Sequence, residues 1–283
     1  MESQESVAVV GMGTMGRGIV EALLVSGFRV SCVDIDQAVV NSSVHKLKEN
    51  LRKAFEKKRI SENTEAMLER LKTGTSYDVV GSSSFVIEAV FENHRVKENV
   101  LKSVEPLLDR HAIMASNTSS LSVTALSSAL GDPSRFVGLH FFNPAQKMPL
   151  VEIVRGARTS EDTLKRSIGL ATALGKTPII VKDSPGFVVN RLLIPYLLSA
   201  GKLLDEGVAT AKDIDTCMKL GAGHPMGPFE LSDLIGIDVI VDIAEELESS
   251  LPLPTRQALP ISFRDLMEKK RFGRKTKGGF FDY

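Results

Sequence analysis

Seven short runs rich in β-branched residues alternate with helix-length segments through the first two thirds of the chain: 7–10, 30–33, 85–90, 112–115, 136–142, 151–154 and 178–181. Strands spaced in this way predict βαβ units and a mostly parallel sheet covered on both faces. Beyond 181 the strand signal stops. Lys182-Asp183-Ser184-Pro185-Gly186 is a cluster of breakers, and helical periodicity follows over 187–207, 211–220, 233–249 and 262–271, with a Pro-containing loop over 251–260. A length of 283 residues suits two domains of ordinary size. The expected organisation is an α/β domain over residues 1–184 and a smaller all-α domain over 185–283.

The first strand runs into Gly11-Met12-Gly13-Thr14-Met15-Gly16, a Gly-x-Gly-x-x-Gly set between a strand and a helix. Gly11 permits a tight turn, Gly13 lets the backbone approach a pyrophosphate, and Gly16 lets the helix pack close to the strand. Thr14 and Met15 open that helix, whose free N–H groups and positive dipole end face the phosphates. The next apolar strand ends at Asp34, 18 residues beyond Gly16, near the spacing of about 20 at which a carboxylate accepts from ribose hydroxyls. A carboxylate there repels a 2′-phosphate, so NAD is favoured over NADP. Asp36 could do the same or cap the next helix; Asp34 is the better placed. With this motif the first domain reads as a Rossmann-like, doubly wound fold.

Composition removes other classes. Lys plus Arg and Asp plus Glu each number 35, so the formal charge is zero, with 43% apolar and 25% charged residues. That balance argues against wholesale disorder and against a nucleic-acid protein driven by global positive charge. Cys32 and Cys217 cannot supply a disulfide scaffold or a Cys-based zinc cage, which points to a reduced, cytoplasmic protein. No His/Asp/Glu grouping has a metal-like spacing and no Gly-x-Ser-x-Gly elbow is present, so metalloenzyme and hydrolase chemistry fall away. Residues 1–6 show neither a secretory nor a transit pattern. The longest apolar run in 187–204 is seven residues, against about 20 for a bilayer span.

A second constellation carries chemistry. The stretch 135–155 holds two strand-like runs around Asn143-Pro144 and Pro149, so His140 near the end of one strand and Glu152 in the next can face each other. Dehydrogenating an alcohol needs a base for the hydroxyl proton, and a carboxylate on the other imidazole nitrogen fixes the tautomer and stabilises the imidazolium. A lone histidine in an apolar strand is more often a core residue. Here the polar cluster Ser116-Asn117-Thr118-Ser119-Ser120 closes the preceding strand, at the carboxyl edge where open α/β sheets bind ligands. Asp183-Ser184-Pro185-Gly186-Phe187-Val188-Val189-Asn190-Arg191 places an amide, Asn190, in the first turn of the helical domain.

These segments together resemble the L-3-hydroxyacyl-CoA dehydrogenase family, and within it the short microbial 3-hydroxybutyryl-CoA dehydrogenases. The likeness extends to Gly221-Ala222-Gly223-His224-Pro225-Met226-Gly227-Pro228 and to the ending Gly273-Arg274-Lys275-Thr276-Lys277-Gly278-Gly279-Phe280-Phe281-Asp282-Tyr283, with Gly223 where relatives usually carry Asn. The resemblance implies His140 as catalytic base or acid, Glu152 as its orienting partner, and Ser119 and Asn190 as hydrogen-bond partners of the substrate. It implies NAD as cofactor, with Glu92 and Lys97 near the nicotinamide ribose and Asn117, Ser119, Asn143 and Lys275 along the site. By spacing alone Glu92 and Lys97 would be an i, i+5 pair on a solvated helix face.

From Lys46 to Arg59 seven basic residues stand against Glu49 and Glu56, while Val44, Leu47, Leu51 and Phe55 form an apolar stripe at helical spacing. Such a run is ordinarily a solvated amphipathic helix. An acyl-CoA substrate, which the resemblance implies, carries a phosphorylated ADP end that needs a basic surface, with Lys57 as the candidate contact. A second basic stretch runs from Lys269 to Lys277. His45, His94 and His111 read as surface residues and His224 as structural. Apolar residues such as Leu192, Leu193, Tyr196, Leu197 and Leu203 exceed what one small bundle buries, so a homodimer through the helical domain is expected. The other functions weighed are a dehydrogenase of free 3-hydroxy acids, which would need a catalytic lysine and a Gly-rich substrate motif not found, and a dinucleotide-binding protein without turnover.

Overall fold

The computed structural model describes residues 5–251 and 258–283. The chain divides into two compact units, Met1–Ser184 and Pro185–Tyr283. In the first, eight strands, β1 (Ser6–Val10), β2 (Arg29–Val33), β3 (Leu71–Gly74), β4 (Phe85–Glu88), β5 (Ile113–Ser116), β6 (Phe136–Phe141), β7 (Leu150–Arg155) and β8 (Thr177–Lys182), form one sheet in the order β3-β2-β1-β4-β5-β6-β7-β8. Helices α1 (Thr14–Val25), α2 (Gln37–Glu56), α3 (Thr64–Leu68), α4 (His94–Val104), α5 (Val123–Ser127) and α6 (Glu161–Ala173) occupy connections between strands. The second unit is built from α7 (Val189–Asp205), α8 (Ala211–Gly221), α9 (Pro228–Ile235), α10 (Ile237–Ser250) and α11 (Ile261–Glu268). The architecture is the expected one, a Rossmann-type sheet followed by helices.

Every neighbouring pair in the sheet is parallel except β6–β7. A parallel return needs a crossover of a dozen or more residues, whereas residues 142–149 between β6 and β7 hold no helix. The chain therefore turns back on itself there. The central strands β1, β4, β5 and β6 are buried along nearly their whole length, as strands covered on both faces must be. Their side chains join Ile19, Leu23, Leu24, Leu47 and Leu51 from α1 and α2 in one continuous core.

The structure departs from the sequence expectations in four places. β3 had no apolar run to announce it, because an edge strand half exposed to solvent needs none. The single helix expected over 233–249 is two, because Gly236 adopts φ +112° and separates α9 from α10. The first helix after Pro185 begins at Val189, since Phe187 sits at φ +50°. The last ends at Glu268, with Lys270 at φ +53°. Most of the loop expected over 251–260, and the first four residues of the 1–6 stretch, lie outside the described residues.

In the second unit, Ile194, Leu197, Leu198, Ile240, Val241, Leu247 and Phe263 form the core. Asp233 is buried at its edge, where its carboxylate accepts from the N–H groups of Phe280 and Phe281 at 2.8 and 2.9 Å and from the Tyr283 hydroxyl at 3.1 Å. This one side chain ties down the C-terminal segment. Two residues of the basic run 269–277 are likewise engaged within their own unit: Arg271 donates to the Gly279 carbonyl and to Asp282, and Lys275 pairs with Asp238 at 2.5 Å. Among the described residues no helix is long and apolar enough to cross a membrane, and no group of three or more His, Cys, Asp or Glu side chains is placed to hold a metal ion.

The two cysteines differ in environment. Cys32 is fully buried in β2 and desolvation pushes its thiol up to about 12, whereas Cys217 is exposed. Because the thiolate is the reactive species, a thiol reagent at neutral pH should label one cysteine in the native protein and two in denaturant. Mass spectrometry of the adducts checks this, and labelling of Cys32 in the folded state would contradict the packing.

Candidate active site

The carboxyl ends of β1, β2, β4 and β5 share one edge of the sheet, and a cavity of about 760 Å³ lies there. Gly11, Gly13, Thr14, Met15, Asp34, Glu92, Asn117 and Ser119 all line it. Gly11 adopts φ +99°, and a Cβ on it would meet the Ala89 carbonyl oxygen at 2.6 Å. Gly16 faces the turn instead: a Cβ there would lie 1.8 Å from the Gly11 carbonyl oxygen. At Gly13 a Cβ would touch nothing within 4 Å and would occupy space at the cavity wall.

The Met12 peptide between these glycines is held from both sides. Its N–H donates to Asp34 Oδ2 at 2.8 Å, and its carbonyl accepts from the Ser43 hydroxyl of α2 at 2.5 Å. Asp34 thus lines the cavity and shapes the turn with one carboxylate. Asp36 takes the other role considered for it and caps α2, accepting from the Ala38 N–H at 2.7 Å. Beyond Asp34 the cavity is lined by Ile35, Val39, Tyr77, Val96 and Asn99, none of which the sequence singled out. Burial, and then the Asp34 charge, push the Tyr77 phenol up from its ordinary value, so it stays a neutral donor.

The opposite end is organised by Glu92. Its Oε1 accepts from the Thr118 hydroxyl at 2.6 Å and from the N–H groups of Ser119 and Ser120 at 2.7 and 3.1 Å, while Lys97 Nζ lies 3.1 Å from its Oε2. Burial pushes this carboxyl up, but the Lys97 ammonium and the Thr118 and Ser119 donors outweigh burial and hold it below its ordinary value. The solvated i, i+5 pair that spacing alone suggested is corrected. Lys97 is 0% exposed, and Glu92 precedes α4 rather than standing on it. Lys97 also binds Glu88 at 2.8 Å. Glu88 was missed in the sequence; the available signal was an acid at the end of an otherwise apolar strand.

His140 and Glu152 are direct register partners across the antiparallel β6–β7 pair, 4% and 1% exposed, with Nδ1 2.7 Å from Oε2. A carboxylate only accepts, so Nδ1–H is the donor and Nε2 is the nitrogen able to exchange a proton. The Phe142 ring stands 4.5 Å from the imidazole. Asn117 connects this pair to the cavity, since its side chain accepts from the N–H of Phe141, next to His140, at 3.0 Å. Neither His140 nor Glu152 is among the cavity-lining residues.

The remaining candidates are not among the residues lining that cavity. Asn143 is exposed on the β6–β7 connection, where its bond to Pro144 is cis. Lys57 is exposed at the end of α2; Leu47 and Leu51 of the expected stripe are buried, but Phe55 is 41% exposed. Asn190, buried in α7, and Lys275 both belong to the second unit. His45, His94 and His111 are exposed, and His224 contacts the Tyr196 hydroxyl at 3.2 Å.

Comparison with known proteins agrees over the full chain. The family description "3-hydroxyacyl-CoA dehydrogenase, NAD binding domain" matches residues 6–184, and that of the C-terminal domain matches 186–283. The mitochondrial hydroxyacyl-coenzyme A dehydrogenase of Sus scrofa is 43% identical over 98% of this chain and 90% of its own length. The 3-hydroxybutyryl-CoA dehydrogenase of Clostridioides difficile is 38% identical over 98% of this chain and 99% of its own. The crystal structure of the (S)-3-hydroxybutyryl-CoA dehydrogenase of Ralstonia eutropha superposes with a TM-score of 0.93 at 40% identity, covering 99% of both chains.

The glycines separate folding from binding. Gly16→Ala should cost about 2–3 kcal/mol of stability, since its Cβ meets backbone that cannot yield. Gly13→Ala should keep the wild-type urea midpoint and weaken NADH binding by about tenfold or more. A Gly13→Ala protein that binds NADH like wild type would remove Gly13 from the site.

Proposed function

This chain belongs to the 3-hydroxyacyl-CoA dehydrogenase family, an NAD-dependent oxidoreductase family, and from that premise we propose that it interconverts short-chain L-3-hydroxyacyl-CoA, 3-hydroxybutyryl-CoA foremost, with 3-ketoacyl-CoA. The buried His140–Glu152 pair is the observation that carries the proposal. Glu152 holds the imidazole through Nδ1–H, and Nε2 takes the substrate's hydroxyl proton in oxidation and returns it in reduction. NAD, when bound, supplies the acceptor and donor of hydride. The space at Gly13 and the Asp34 carboxylate in the cavity fit a dinucleotide, and the same carboxylate disfavours a 2′-phosphate.

Ser119 is assigned a hydrogen bond to the reacting oxygen or the thioester carbonyl, as is Asn190. Glu92, Lys97, Asn117, Asn143 and Lys275 are assigned to the cofactor, and Lys57 to the phosphorylated end of CoA. Two unpaired thiols suit the cytoplasm as the compartment. Of the apolar residues expected to be left over for a partner, Leu197 is buried and Leu193 and Tyr196 pack against the core of the second unit, which corrects that part of the expectation. Leu192 and Leu203 remain exposed, and with Val208, Leu220 and Ile261 they support a homodimer through this unit. Sedimentation should give twice the chain mass at micromolar concentration, and a stable monomer would refute the dimer.

An assay of acetoacetyl-CoA against free acetoacetate with NADH tests the substrate class, with turnover expected for the CoA ester alone. Turnover of the free acid alone would assign the chain to dehydrogenases of free 3-hydroxy acids, and turnover of neither would make it a binding protein. His140→Gln should lower kcat by about 10²–10⁴-fold with NADH affinity unchanged. Near-full activity in that variant would refute the role. Glu152→Gln should lose much of the rate and alter the pH–rate profile through a mis-set imidazole.

A further inference from the structure

Glu88 belongs to a charge cluster with Lys97 and Glu92, and the reaction just described gives a role to the other two members but none to Glu88. It ends β4 at 1% exposure. Its Oε1 accepts from Lys97 Nζ at 2.8 Å and from the Val90 N–H at 2.7 Å, and its Oε2 accepts from the Ser116 hydroxyl at 2.5 Å. Lys97 reaches three acceptors: Glu88, Glu92 at 3.1 Å and the Val90 carbonyl at 3.3 Å. One ammonium therefore stands between two carboxylates, and the formal charge of the cluster is −1. Burying an ion pair is costly, and such a pair is weak evidence for a role in stability. Glu88 and Lys97 are the buried pair, and the surplus charge falls on Glu92, whose side chain is 33% exposed at the cavity wall.

Sheet order says which half of a dinucleotide it meets. A dinucleotide lies across the crevice at the carboxyl ends of the strands where the winding reverses, here between β1 and β4. The Asp34 carboxylate at the end of β2 takes the adenosine ribose. Glu92, Asn117 and Ser119, beyond β4 and β5, then border the nicotinamide half. The nicotinamide ring is a cation in NAD⁺ and neutral in NADH, so a fixed negative charge nearby favours the oxidised form.

We infer, on the cofactor placement proposed above, that the Glu88–Lys97–Glu92 cluster sets the relative affinity for NAD⁺ and NADH, with Glu88 as a positioning residue that leaves a surplus negative charge beside the nicotinamide. Lys97 cancels one carboxylate and pins the other. Glu92 in turn holds the backbone of Ser119 and Ser120, so the charge and the shape of this end of the cavity share one set of hydrogen bonds.

Calorimetric titration of the full chain with NAD⁺ and with NADH tests the inference. Glu88→Gln is nearly isosteric: the amide oxygen can still accept from Lys97 and Val90, the amide nitrogen can donate to Ser116, and the cluster becomes neutral. The ratio Kd(NAD⁺)/Kd(NADH) should rise about tenfold, the scale of one unit charge acting through a partly solvated site. Combining Glu88→Gln with Lys97→Met restores a formal charge of −1 and should return the ratio toward wild type, although it breaks more contacts. If Glu88→Gln does not fold, Glu92→Gln, at a more exposed position, should raise the ratio in the same direction. Equal loss of both affinities in Glu88→Gln, or no change in either, would overturn the charge role. Wild-type protein that binds neither form would overturn the cofactor placement itself, and the charge role with it.

Discussion

Six strands from β1 to β6 run the same way, so their carboxyl ends emerge at one edge of the sheet, and the chain must leave every strand there in a loop. That constraint gathers residues far apart in sequence, Gly11 and Gly13 after β1, Asp34 after β2, Glu92 after β4 and Ser119 after β5, around one cavity. The reversal between β6 and β7 supplies what parallel strands do not, a side-by-side antiparallel pair. In its register His140 and Glu152 stand directly opposite each other, both buried so that water does not compete for their hydrogen bond.

The loops at that edge are held by polar side chains rather than by regular structure. The Met12 peptide is fixed by Asp34 and Ser43, the Ser119–Ser120 backbone by Glu92, and the N-terminal end of α5 by Asp183, which accepts from Val123 and Thr124. Each removes one or two backbone donors from solvent competition at the point where a ligand needs a preformed surface. The same device recurs in the second unit, where Asp233 binds the C-terminal segment and Asp215 accepts from the N–H groups of Phe229 and Glu230 at the start of α9.

Elements with strong local signals were legible from the sequence: the buried strands as β-branched runs, the glycine turn as a motif, the helical second unit as a change of period at the Asp183–Gly186 cluster. What failed did so for local reasons. β3 is a half-exposed edge strand without apolar periodicity, and Gly236 interrupts a helical pattern only through a backbone angle that composition does not reveal. Lys97 looked like a solvated helix residue paired with Glu92 because nothing in the local sequence announces that it is buried against Glu88. Tyr77 and Asn99 lie on elements whose own residues carry no nucleotide motif, and they meet the cavity only because the sheet order brings them there.

The sequence by itself determined the class of the protein, since hydrophobic period and turn chemistry are local properties that survive without coordinates: a parallel sheet, a Gly-rich turn followed by an acid, and a histidine and a glutamate on successive strands. Tertiary structure decided the pairings. That His140 meets Glu152 through Nδ1, that Asp34 grips the Met12 peptide while Asp36 caps a helix, and that Glu88 and Glu92 share Lys97 all depend on strand register and order. Those are set by long-range packing, and a displacement of one residue would send each side chain to the opposite face of the sheet.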